Sequence, residues 1–169
     1  MSEKLEKSKE SGAHHQLNLL AGTWAGVART WFTPEKVEDE SPVAGTMKPI
    51  LGGMYLLHEY KGSFAGKPLE GVAMYGYNLA LQKFEMVWVD SFHTGTAFLF
   101  SEGERGADGM NVKGKYAYVT PEIEQYWGWR TTIEMTGPDE VIITAYNISP
   151  EGEEQKATET IYKRENQPN

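Results

Sequence analysis

The stretch PLEGVAMYGYN (residues 68–78), LALQ (79–82) and KFEMVWVDSFHTG (83–95) decides the fold, because it sets two β-rich runs on either side of a short connection. The second run alternates, with Phe84, Met86, Trp88 and Asp90 on one face and Glu85, Val87 and Val89 on the other. A strand whose inner side presents Phe, Met and Trp and then ends in a carboxylate is the wall of a core or cavity with a polar mouth.

The same pattern continues on both sides of this stretch. The spacing of β-rich runs predicts about ten strands: Thr23–Phe32, Pro42–Leu51, Met54–Gly62, Leu69–Tyr77, Lys83–Asp90, Thr96–Glu102, Met110–Val119, Gln125–Thr136, Glu140–Ile148 and Gln155–Arg164. The separators are turn chemistry, among them Thr33-Pro34, Gly52-Gly53, Gly66-Lys67-Pro68 and Gly137-Pro138-Asp139. Short separators make antiparallel neighbours, and a meander of that length must close on itself to avoid two long open edges. The expected fold is therefore all-β: a single antiparallel up-and-down barrel.

One helix is expected over Ala13–Ala21, with Leu17 and Leu20 on one side and Gly22 as its stop. Residues 1–11 are charged and read as a disordered tail, which leaves 12–165 as one barrel domain. At 169 residues the chain buries a sizeable core without staples. It has no cysteine, which excludes thiolate catalysis and Cys-ligated metal. Its 24 acidic residues against 16 basic give a net charge of −8, which repels nucleic acid and anionic lipid. The N-terminus lacks the apolar run of a secretory signal and no stretch is long enough to span a bilayer, so the expected location is the cytoplasm, with no membrane partner.

Parity assigns the interior. Trp127, Trp129, Thr131, Ile133 and Met135 share one face, with Arg130 on the other. By the same rule Val112, Tyr116, Tyr118, Phe98 and Phe100 face inward. Both faces of 54–60 are apolar, and His58 is placed inward because Glu59 is costlier to bury. Trp24 is expected to plug one end.

Two sets of residues resemble known proteins. Gly22-Thr23-Trp24 after a short helix is similar to the signature that opens lipocalins and related calycin barrels. The series Leu51-Gly52-Gly53-Met54-Tyr55-Leu56, Gly66-Lys67-Pro68-Leu69-Glu70-Gly71, Gly76-Tyr77-Asn78, Trp88-Val89-Asp90-Ser91 with Thr94-Gly95, and Glu159-Thr160-Ile161-Tyr162-Lys163-Arg164 resembles the bacterial family known as domain of unknown function 1579. The resemblance runs from His14 to Arg164 and implies a calycin-like closed barrel without implying a reaction. The chain departs from the family's usual residues at Met54, Asn78 and His93.

Chemistry is sparse. No Gly-x-Ser-x-Gly elbow, Walker A run or Gly-x-Gly-x-x-Gly loop occurs. The four histidines, His14, His15, His58 and His93, lack metal-ligand spacing, and neither a metal nor a cofactor is expected. Haem, which some calycin-like barrels such as the nitrobindins hold through one axial His, would need His58 or His93 here, and a hemin titration without a Soret shift would exclude it. Asp90 and His93 are the nearest acid–base pair. Their bland alternative is a turn, in which Asp90 and Ser91 bond the backbone after the strand.

The leading expectation is a binding module that takes one small, largely apolar or aromatic molecule inside. Its contacts are His58, Met86, Trp88, Asp90, Phe98, Tyr116, Trp127 and Trp129. Small barrels also fill their interiors with side chains, and both interiors satisfy this aromatic set. The alternatives are a barrel-cavity isomerase or lyase using Asp90 and His93, and a filled-core structural or interaction protein, for which a homodimer through a sheet face such as Val87, Val89 and Tyr126 is one form.

Overall fold

The structure, a computed structural model, describes residues 2–106 and 109–166. Helices α1 (Glu3–Ser11) and α2 (Ala13–Leu19) precede the ten strands of the wall: β1 (Gly22–Thr33), β2 (Lys36–Ile50), β3 (Tyr55–Phe64), β4 (Lys67–Asn78), β5 (Lys83–Asp90), β6 (Leu99–Gly103), β8 (Gly109–Val119), β9 (Glu124–Gly137), β10 (Glu140–Ile148) and β11 (Glu154–Arg164). A two-residue strand, β7 (Arg105–Gly106), pairs only with β8. The order β6-β5-β4-β3-β2-β1-β11-β10-β9-β8 is antiparallel throughout, and β6 pairs with β8 at Ser101↔Gly114 and Glu102↔Lys113 to close the barrel. The closed antiparallel barrel expected from the turn spacing is the fold. No helix among the described residues is long and apolar enough to cross a membrane.

The tail needs a correction. Where a disordered segment was expected over residues 1–11, Glu3–Ser11 is helical. Its charges are placed as a helix favours: Ser2 caps the first turn by accepting from the Leu5 N–H at 3.3 Å, Glu3 and Glu6 sit at the positive end, and Lys9 sits in the last turn, 3.1 Å from Glu6. Leu5 is buried, and Lys9 reaches the Gly52 carbonyl at 3.2 Å, which ties α1 to the turn between β2 and β3. Composition alone reports charge density and misses this placement.

Helix α2 covers one end of the barrel. Trp24 is fully buried beneath it, and its Nε1–H donates to the Leu20 carbonyl at 2.9 Å. Arg164, at the end of β11, lies over the Trp24 ring at 4.2 Å and donates to the carbonyls of Ala21 (2.5 Å) and Leu19 (3.0 Å). One guanidinium thus satisfies orphan carbonyls at the helix C-terminus and stacks on the plug.

Strand parity sorts the interior as alternation predicts in β5, where Phe84, Met86 and Asp90 are buried, and in β9, where Trp129, Thr131 and Ile133 are. His58 is buried and Glu59 exposed, the orientation that the cost of burying a carboxylate favours. The main core gathers Trp24, Met47, Leu56, Tyr75, Val112, Val141 and Tyr162, while Leu99, Trp129 and Ala145 form a second cluster. Trp88 packs against both.

Strands β1 and β11 approach too closely for a side chain at Gly26, whose Cβ would stand 1.8 Å from the Ile161 carbonyl oxygen. The obstacle is backbone and cannot swing aside. Gly26→Ala is therefore expected to cost about 1–3 kcal/mol or more in stability, read as a lower urea midpoint with unchanged slope.

Candidate functional site

A cavity of about 100 Å³ lies inside the barrel. Its buried end, on the side of Trp24 and α2, is lined by His58, Tyr75 and Tyr162, and its other end by the half-buried Arg29, Asp39 and Phe64 near the β1–β2 and β3–β4 turns. Between them stand Met86, Ile143 and a tryptophan pair, Trp88 on Trp129, with ring centroids 5.4 Å apart and planes at 22°.

The pairing of β4 with β5 positions one wall. Ala73 and Gly71 lie opposite Trp88 and Asp90, so small residues face large ones and the inner surface stays open. Tyr60, from β3, accepts the Trp88 Nε1–H at 2.9 Å and donates a long bond of 3.4 Å to Asp90 Oδ2. Asp90 does two things at once. Its Oδ1 accepts the backbone N–H groups of Phe92 (3.0 Å), His93 (2.5 Å) and Thr94 (3.3 Å), which builds the turn after β5. Its Oδ2 stands 2.5 Å from His93 Nδ1. Burial pushes the Asp90 carboxyl up, but the His93 ring and the turn's N–H groups outweigh it and hold the acid below its ordinary value. An ionised carboxylate only accepts, so His93 carries its proton on Nδ1 toward Asp90. His93 Nε2 is buried and has no hydrogen-bond partner among the described residues, and the ring lines the cavity beside Trp88 and Trp129.

The deep end is a hydrogen-bonded trio. His58 Nδ1 meets the Tyr75 hydroxyl at 3.1 Å and Nε2 meets the Tyr162 hydroxyl at 3.1 Å. Gly45 makes room for it, since a Cβ there would stand 2.6 Å from the Tyr162 hydroxyl. Burial pulls His58 down to about 4 and pushes both tyrosines up, so all three rings are neutral near pH 7.

Of the residues expected to line a pocket, His58, Met86, Trp88, Asp90 and Trp129 do so. Phe98, Tyr116 and Trp127 do not, and each has a physical reason. Residues 91–98 run as bends and turns, β6 begins only at Leu99, and its inward parity belongs to Leu99 and Ser101, which leaves Phe98 80% exposed and Phe100 half exposed. Tyr116 packs edge-on against Trp129 and donates to Asn147 Oδ1 at 2.7 Å. Trp127 is only half buried, paired with Tyr116 and two residues nearer the barrel's end than Trp129, and Tyr118, also expected inside, is 53% exposed beyond it. Sequence reasoning missed Tyr75 and Tyr162, while Tyr60 follows His58 inward by parity without having been named as a site residue. The alternation of Gly71, Ala73 and Tyr75 in β4 carried a signal for one of them.

The residues present do not fit a haem. Both nitrogens of His58 are taken by tyrosines, and the space before His93 is far below the roughly 300–1,000 Å³ of pockets for drug-sized ligands.

Fold and site together define a calycin-like closed barrel with a small internal cavity. The chain belongs to the DUF1579 family, proteins of unknown function, whose model matches residues 9–164. Among solved structures, the crystal structure of Rv2717c from M. tuberculosis is similar at a TM-score of 0.60, with 13% identity over 90% of this chain and 96% of that one, a likeness of fold. No curated protein matches the chain.

Proposed function

We propose that this barrel binds one small, largely apolar molecule in its interior, held against the Trp88–Trp129 pair. The observation that carries this reading is the cavity itself: a space of about 100 Å³ with aromatic and aliphatic walls and a few polar groups. An engineered apolar cavity of ~150 Å³ admits benzene, so the occupant here is smaller than a fatty acid or an isoprenoid by a wide margin. Titration with cyclopentane and pyrrole, followed by tryptophan emission, tests it. Saturable change is expected, and Trp129→Phe should remove at least about half of it, since that indole forms one face of the stack. Emission that stays flat with both probes overturns the reading.

A second reading, a proton-transferring isomerase or lyase, is favoured by the 2.5 Å Asp90–His93 contact and the bare Nε2 beside the cavity. A neutral imidazole oriented by a carboxylate is a general base for an acidic C–H. Cyclopentanone in heavy water, followed by NMR, should then exchange its α-hydrogens faster with the protein than without it. Asp90→Asn should lower that rate roughly 10²-fold or more by weakening the base. Equal exchange with and without protein removes this reading.

A further inference from the structure

The trio at the deep end holds one proton more than its own bonds use. A neutral imidazole has one N–H and one bare nitrogen, and each tyrosine brings one O–H. His58 bonds both tyrosines, so one of them donates to the bare nitrogen and the other accepts the ring N–H. The accepting tyrosine keeps its own O–H, and the Tyr75 and Tyr162 hydroxyls make no hydrogen bond among the described residues except to His58. Both tyrosines are at most 2% exposed and both line the cavity. A buried donor left unmet costs about 1–3 kcal/mol, a cost removed by any acceptor placed in the cavity.

We propose that the trio is a recognition element that presents this surplus phenolic hydrogen to a neutral acceptor oxygen, so the preferred occupant is a small uncharged carbonyl compound. The inference rests on the binding reading above and adds the chemistry of the ligand. Anions fit poorly, because His58, Tyr75, Tyr162, Tyr60 and Thr131 place no cation at the deep end, and the carboxylate of Asp90 stands further along the wall. A cation gains nothing from a donor. An apolar molecule leaves the donor unmet.

Cyclopentanone, cyclopentane and acetate separate these cases when titrated into the intact protein and into a triple variant, His58→Leu/Tyr75→Phe/Tyr162→Phe. Tryptophan emission reports affinity, and a pH indicator in weak buffer reports proton uptake. Cyclopentanone should bind roughly tenfold more tightly than cyclopentane to the native protein, the worth of one hydrogen bond, and the triple variant, which keeps none of the trio's donors, should bind the two alike. A circular dichroism spectrum of the variant that matches the native protein's shows that the barrel is intact. Equal affinity of the native protein for ketone and hydrocarbon overturns the inference while the binding reading stands. Tighter binding of acetate with uptake of a proton also overturns it, since His58 would then be charged and serve an anion. If none of the three binds, the binding reading fails and the inference with it.

Discussion

Trp24→Ala is expected to remove about 3–5 kcal/mol of stability, the largest effect of any single truncation in this barrel. The indole is fully buried, packs against Tyr162 at 6.2 Å and lies under the Arg164 guanidinium. Its loss opens a cavity between α2 and the strands. It also deletes the Nε1–H bond to Leu20 and takes away the surface on which Arg164 stacks while capping α2. The effect should appear as a melting temperature lower by roughly 10 °C or more for a domain of this size. Trp24→Phe should recover part of it, because the ring returns without the bond to Leu20. A melting temperature unchanged in the alanine variant would show that α2 is not anchored through this residue.

Acidification from pH 7 to pH 4 is expected to remove about 3 kcal/mol through His58 alone. The sign follows from proton binding. In the unfolded chain the imidazole titrates near its ordinary 6.5, whereas burial holds it at about 4 in the barrel. Between those values the unfolded state binds the extra proton, so the contribution is complete above about 6.5 and lost as pH falls toward 4. His14, lowered by burial and by Lys9, acts in the same direction. Asp90 is held low, so its contribution is lost only at pH below the ordinary carboxylate value. Urea midpoints at pH 7.5 and 4.5 test this, with His58→Gln beside the native chain. The variant should be the less stable at pH 7.5, because two bonds to tyrosine hydroxyls are weakened, and its pH dependence should be distinctly flatter. Parallel slopes in the two proteins would place the acid sensitivity elsewhere.

Much of the barrel is legible in the sequence because period-two alternation and turn residues are local signals. Strands β5 and β10 carry their expected bounds to the residue. Parity also places Trp129 and Met86 from sequence, and a desolvation argument places His58. What fails is parity carried across an irregular segment. The seven residues after Asp90 form a turn held by its carboxylate, and a slip of one residue there turns Phe98 outward. The trio escapes a linear reading for another reason: Tyr75 and Tyr162 lie 17 and 104 residues from His58 and meet only when β3, β4 and β11 curve around one space. At Asp90 one oxygen builds the turn that the bland reading expects and the other meets the His93 ring, so a single carboxylate makes both contacts.

The closure between β6 and β8 gives the molecule a seam. Other neighbours in the wall share runs of five or more paired residues, whereas this join is recorded at Ser101↔Gly114 and Glu102↔Lys113, beside a strand of five residues. Fewer rungs mean a lower free energy of local opening. The seam joins Ser101, which pairs with Met86, to Gly114, which pairs with Trp129, so breathing there would bare one side of the tryptophan stack while the rest of the wall stays zipped. For a guest of the kind proposed, that short join would be a second way in, apart from the end lined by Arg29 and Phe64.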